Sequence, residues 1–153
     1  MILWRLSGVP RARAFDGGYG LVYDGRWNTA GHAVTYCATS PSLCVLEKLV
    51  HVEDPKLLPA LMMVRYHAPE SLDVESISVA DLPESWRLQE SLTQERGDAW
   101  HETLRTPLLS VPSAIVPLDG SPDLNMLINH RHPSAAQIQI LAADPFALDV
   151  RRF

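Results

Sequence analysis

Cysteine is scarce in these 153 residues: Cys37 and Cys44 are the whole supply. Seven positions apart, they make no disulfide framework and read as reduced, partly buried thiols. Long apolar runs are missing too. No stretch of about 18 uncharged apolar residues could span a bilayer, and the first residues lack the apolar core of a secretory signal, so a cytoplasmic protein with no membrane contact is expected. There is no run of Lys or Arg, and 13 basic against 18 acidic residues leave a formal net charge of -5. That balance argues against direct binding of nucleic acid. G-x-G-x-x-G and Walker A loops are absent, as is a regular βαβ alternation, which leaves Rossmann and P-loop folds without support. No repeat or low-complexity linker divides the chain, so a single domain over residues 1–153 is expected.

What is present suits a packed domain. Hydrophobic residues make up 46% and charged residues 20%, enough apolar matter for a core without disulfides or a structural metal. Residues 1–6 read as a strand, and residues 7–28, with five glycines, as a loop with turns. Alternation over residues 32–38 predicts a strand with Val34, Tyr36 and Ala38 on one face. Ser40-Pro41 follows as an N-cap and first helical position, opening a helix to about His51. Further strands are expected at 60–66 and 72–77, and a helix over 94–105 around Trp100 despite Gly97. Residues 108–118 look β-like but carry Pro112 and Pro117, which favours an edge strand or a bulge. Residues 124–129 read as a helical turn and residues 137–142 as a last core strand.

Several side chains invite chemistry. On the helix after Pro41, residues 43, 46, 47 and 50 share a face, so Glu47 sits in a stripe otherwise made of leucine and valine. Buried without a partner it would cost several kcal/mol, so it needs donors, a cation or a wet cleft; a boundary residue or structural salt bridge is the plainer alternative. Arg26, in Gly25-Arg26-Trp27-Asn28, could take a phosphate or carboxylate bidentately or be an ordinary surface arginine. Arg5, Arg11 and Arg13 lie nearby in sequence, so an acidic total still leaves room for a local basic pocket. Tyr36 is either core or a ring that stacks on a flat heterocycle while its hydroxyl orients a ligand. Ser113 follows Pro112 on a stiffened backbone, but no G-x-S-x-G or triad accompanies it. His130-x-His132 with His51 or His101 lacks a matching Cys or carboxylate motif, so no metal is expected.

Together these pieces resemble the RES-domain toxin family, over nearly the whole chain. The landmarks are Trp4-Arg5, Gly25-Arg26-Trp27-Asn28 with Gly31, the strand and cap over 32–40, Leu46-Glu47 with His51, and Gly97-Asp98-Ala99-Trp100. Val111-Pro112-Ser113, Asn125 and Asn129 with His132-Pro133, and Asp149-x-Arg151 complete the order. Arg26, Tyr36 and Glu47 stand ten and eleven residues apart. His130 occupies the place of the family's usual proline, and the loop 119–123 is longer and more polar than the family pattern.

The resemblance implies a mixed α/β fold similar to the ADP-ribosyltransferase core, with a partly antiparallel sheet and flanking helices. It implies an enzyme that uses NAD as substrate and holds no bound cofactor, releasing nicotinamide from NAD⁺. Glu47, Arg26, Tyr36 and Ser113 are the implied catalytic residues, and Arg26, Tyr36, Ser113 and Asn125 the implied NAD contacts. Glu47 would stabilise positive charge on the ribose, as carboxylates do in glycoside hydrolysis. Water as acceptor makes an NAD⁺ hydrolase, phosphate a phosphorylase, and a protein side chain an ADP-ribosyltransferase. A cognate antitoxin, carrying the DNA-binding domain, is the implied partner, and a homo-oligomer is left open. A catalytically inert nucleotide- or partner-binding module is the alternative from another class.

Overall fold

The computed structural model describes residues 1–149; Arg151, the last landmark, lies outside them. Seven strands form one sheet in the order β4-β5-β6-β2-β1-β3-β7. They are β1 (Ile2–Gly8), β2 (Val34–Ala38), β3 (Leu61–His67), β4 (Val74–Ser76), β5 (Leu108–Pro112), β6 (Leu124–Asn129) and β7 (Gln139–Phe146). All neighbours are antiparallel except β4 and β5. Three α-helices join them: α1 (Gly18–Val22), α2 (Pro41–Val50) and α3 (Glu90–Thr103). The chain adopts the expected mixed α/β architecture, and the sheet expected to be partly antiparallel is antiparallel at every pairing but one.

The sheet is really two ribbons meeting at a seam. β1 and β3 pair along seven positions, and β2 and β6 along five, yet β1 meets β2 in register only at Trp4 and Ala38. Helix α2 covers that seam, and under it Leu43, Cys44, Ala38 and Met63 form a small core with Trp4 and Leu6 against it. Its start follows the local code: Ser40 is extended, its Oγ accepts from the Leu43 N–H at 3.2 Å, and Pro41 occupies the first turn. On the same side of the sheet, Trp27, Trp86 and Trp100 bury with Val34, Leu109, Val111 and Leu127. The opposite side buries Leu3, Cys37, Val64, Tyr66, Met126 and Ile128.

Several expectations are corrected. Residues 124–129 form a strand in the middle of one ribbon rather than a helical turn. Asn125 through Asn129 are all buried, so the period-two contrast that marks a half-buried strand is absent. β5 is interior, not an edge, because Pro112 is its last residue, opposite Leu124, and residues 108–111 keep their N–H groups for the ladder. The last strand is present but stands at the edge of the sheet as β7, half of its residues exposed, with Ala143 and Ile140 facing the core. The glycine-rich segment 7–28 holds the short helix α1, and α3 begins at Glu90, four residues before residue 94. The two thiols are free and buried as expected, and burial pushes the Cys44 thiol up to about 12.

Candidate active site

Glu47 lies at the end of the second turn of α2, half-buried and turned toward the sheet. Its stripe differs from the one expected. Leu43 and Cys44 are the buried helix residues, while Leu46 and Val50 are 44% and 61% exposed. Glu47 therefore borders the buried stripe instead of interrupting an apolar one, and its carboxylate finds donors across a gap between elements. Asn125 on β6 donates from Nδ2 to Glu47 Oε1 at 2.7 Å, and Ser113, just past β5, donates from Oγ to the same oxygen at 3.2 Å. No protein donor among the described residues reaches Oε2, and no ion pair there involves Glu47.

The donors are themselves held. Ser113 is fully buried, and its Oγ accepts from the N–H groups of Ile115 and Val116 at 3.1 and 3.3 Å, so its hydroxyl hydrogen is directed outward to Glu47. Asn125 stands opposite Ala38 and Val111 in the two ladders. The polar loop 119–123 fastens the approach to α2. Thr39 Oγ1 donates to the Pro122 carbonyl at 2.7 Å, and Ser40 Oγ donates to Asp123 at 3.1 Å. The Ser40–Asp123 bond, made to a carboxylate, contributes roughly 1.5–3 kcal/mol, and the neutral Thr39 bond about 1 kcal/mol.

Arg26 and Tyr36 make a second group. The Tyr36 hydroxyl donates to Asn28 Oδ1 at 2.7 Å and accepts from the Trp27 N–H at 2.9 Å. The hydroxyl is thus occupied by the loop that carries Arg26, and burial holds the phenol far above its ordinary range, so it stays neutral. Gly25 is required here: a Cβ would lie 2.6 Å from the Tyr36 hydroxyl. Asn28 completes the knot by donating from Nδ2 to the carbonyls of Tyr23 and Thr29 at 3.1 and 3.0 Å. Arg26 extends away from it, its guanidinium 5.9 Å over the Trp86 ring and its Nη1 donating to the Arg87 carbonyl at 3.2 Å.

The landmark Asp98, with Thr93 and Gln94, which the sequence did not single out, holds this loop from the other side. On α3, Thr93 Oγ1 donates to the Arg26 carbonyl at 2.5 Å and Gln94 Nε2 to the Gly25 carbonyl at 2.9 Å. Asp98 accepts from the backbone and hydroxyl of Thr29 at 2.9 and 2.6 Å. The available signal was a stripe of polar and small residues at helical spacing, Thr93, Gln94, Gly97, Asp98 and His101, on a helix whose opposite side is also polar. Asn129, by contrast, is structural: its Nδ2 donates to the His101 carbonyl and its Oδ1 accepts from the Arg131 N–H. His130 bonds Thr35 through Nε2, and His132 Nδ1 accepts from the Ser134 N–H. No group of three or more His, Cys, Asp or Glu among the described residues is placed to hold a metal. Nor is any helix among them long and apolar enough to cross a membrane.

The RES domain family model matches residues 2–149. "Toxin Res" of Pseudomonas putida is 39% identical over 155 residues, covering 100% of both chains. "Prs ADP-ribosylating toxin" of Sphingobium sp. is 31% identical over 155 residues, covering 97% of this chain and 94% of that protein. Among solved structures, a chain of the M. tuberculosis MbcT-MbcA toxin-antitoxin complex matches with a TM-score of 0.70 at 16% identity, covering 95% of this chain and 84% of that one. With the match running from the first strand to the last described residue, the chain belongs to the RES domain family.

Proposed function

We propose that this chain is the toxin of a bacterial toxin-antitoxin pair, acting in the cytoplasm, and that it breaks the bond between nicotinamide and ribose in NAD⁺. The observation that carries this reading is the half-buried Glu47 carboxylate, oriented through Oε1 by Ser113 and Asn125 while Oε2 keeps its acceptor capacity. When the C1′–N bond breaks, its electron pair returns to the pyridinium nitrogen. Nicotinamide leaves neutral and needs no general acid, while positive charge grows on the ribose. A fixed carboxylate near the ribose hydroxyls stabilises that charge more than it stabilises the substrate, which is what lowers the barrier.

The other residues divide the remaining work. Ser113 and Asn125 position Glu47 and bound the ribose region, Arg26 takes the phosphates, and the Tyr36 ring packs beside nicotinamide or its ribose while its hydroxyl keeps the Arg26 loop in place. Water captures the ribosyl cation and loses a proton, giving hydrolysis; inorganic phosphate in its place gives phosphorolysis. In this reading a cognate antitoxin with a DNA-binding domain covers the cleft; the names of the Pseudomonas relative and of the MbcT-MbcA complex support a toxin with an antitoxin partner.

Incubating the purified chain with NAD⁺ and quantifying free nicotinamide and ADP-ribose tests the proposal. Catalytic release of nicotinamide is expected, and its absence from a folded, antitoxin-free protein overturns it. A second reading, transfer of ADP-ribose to a cellular protein, is favoured by the name of the Sphingobium relative. Labelled NAD⁺ in a cell extract separates the two: a labelled protein band points to transfer, and label confined to small molecules points to hydrolysis or phosphorolysis.

A further inference from the structure

Resting on that reading, we propose that Arg87 is the second arm of a diphosphate-binding subsite, paired with Arg26, so that two guanidinium forks serve the two phosphates of the nucleotide. The two residues come from segments 61 positions apart, Arg26 from the loop before β2 and Arg87 from the turn before α3, and the fold interlocks them. Arg26 Nη1 donates to the Arg87 carbonyl at 3.2 Å with its guanidinium over Trp86, and Arg87 Nη1 donates to the Ala114 carbonyl at 3.3 Å. Ala114 is the neighbour of Ser113, whose hydroxyl donates to Glu47. Arg87 thus connects the Arg26 loop to the segment that orients the carboxylate.

Arg5 and Arg105 show what a purely structural role looks like here, whereas Arg96, whose Nη1 donates to the Asp81 carbonyl at 3.1 Å, shares the sparse partnering of Arg26 and Arg87 but stands apart from the Arg26 loop and Ser113 contacts. Arg5 is used up by the Tyr66 hydroxyl and the carbonyls of Arg11, Ala12 and Ala14, and Arg105 pairs with Glu75 at 2.9 Å. Arg26 and Arg87 each make one hydrogen bond to a carbonyl and no ion pair among the described residues. A guanidinium has five N–H donors, so most remain available on both. In a chain with a formal net charge of -5, two cationic side chains linked through the Arg87 backbone and lacking carboxylate partners form a local site for an anion. Paired planar forks suit a group with two phosphates, since each fork takes one phosphate bidentately. Adenosine and nicotinamide riboside lack that group and gain nothing from Arg87.

Titration calorimetry with ADP-ribose, inorganic pyrophosphate and adenosine against the wild type, Arg87→Gln, Arg87→Lys and the exposed control Arg13→Gln tests the subsite, with thermal melts to check folding. Arg87→Gln is expected to weaken ADP-ribose and pyrophosphate binding about tenfold, the loss of one charge-assisted contact. Arg87→Lys should recover part of that, and Arg13→Gln should bind as the wild type does. The KM for NAD⁺ should rise in Arg87→Gln with little change in kcat. Unchanged binding in Arg87→Gln, or an equal loss in Arg13→Gln, overturns the subsite even if NAD⁺ is cleaved. If the wild type neither cleaves NAD⁺ nor binds ADP-ribose, the functional reading fails, and pyrophosphate decides the subsite alone: binding that depends on Arg87 upholds it, and no binding overturns it.

Discussion

Glu47→Gln keeps the acceptor that Asn125 and Ser113 use and removes only the charge, so the fold and the packing of α2 should survive. Nicotinamide release should fall by about 100-fold or more, the scale on which single electrostatic contacts to a transition state act. A nicotinamide assay beside a melting curve checks it, and wild-type turnover in the folded variant would remove Glu47 from the mechanism. Tyr36→Phe tests a different point. It strands the Trp27 N–H and Asn28 Oδ1 in a buried loop, which costs about 1–3 kcal/mol. Urea melts should show that loss, and KM should rise more than kcat falls because the displaced group is the Arg26 loop. Much at this scale was legible: Glu47, Ser113 and Asn125 do converge. Arg87 and Thr93 escaped notice because an arginine and a threonine in polar surroundings carry no signal until the fold brings their partners from distant segments.

Helix α3 and the Arg26 loop approach each other more closely than any side chain permits. A Cβ on Gly97 would lie 1.7 Å from the Trp27 carbonyl oxygen, so Gly97→Ala must push helix and loop apart. A stability loss of about 2 kcal/mol or more is expected, lowering Tm by several degrees for a chain of this size. Activity should fall further than stability accounts for, since Thr93, Gln94 and Asp98 would lose their reach to the loop. Retained Tm and activity would show that α3 is not the loop's support. Sequence reading found the elements that punctuate themselves, such as α2 with its Ser40-Pro41 start. It failed at β6, where burial on both faces erases alternation. It also failed at β7, whose half-buried pattern gives no sign of whether a strand has one neighbour or two.

At the scale of the whole molecule, histidines set the response to acid. Burial, with Arg5 and His101 acting the same way and the Asp16 carboxylate opposing, holds His130 down at about 4, and burial also lowers His101. For His32, burial works downward but is outweighed by hydrogen bonds to Glu102 and the Thr29 carbonyl and by the charge of Asp98, so its pKa is raised. The lowered groups take up protons in the unfolded chain from about pH 6.5 downward, before the folded protein does. They therefore remove stability as pH falls from about 6.5 to about 4. His32 acts oppositely: its contribution is complete below about pH 6.5 and is lost as pH rises through its folded pKa. Urea midpoints should thus drop on acidification below pH 6.5. His130→Gln should flatten that drop even if lost contact with Phe15, 4.5 Å between rings, lowers the whole curve. An unchanged slope would exclude His130 as its source.

The tryptophans sort by the ribbon they serve. Trp27, Trp86 and Trp100 share the apolar cluster beneath the Arg26 loop, with the Trp27 and Trp86 rings 6.1 Å apart, while Trp4 lies on the other side of the seam near Arg65. Most of the protein's ultraviolet emission therefore originates in the half that carries Arg26 and Arg87. A guanidinium stacked on Trp86 perturbs that indole, so an anion that draws Arg26 away should change the emission. In a Trp4→Phe background the remaining fluorescence becomes a label-free readout of occupancy, fast enough to follow nucleotide arrival and antitoxin arrival in the same stopped-flow trace.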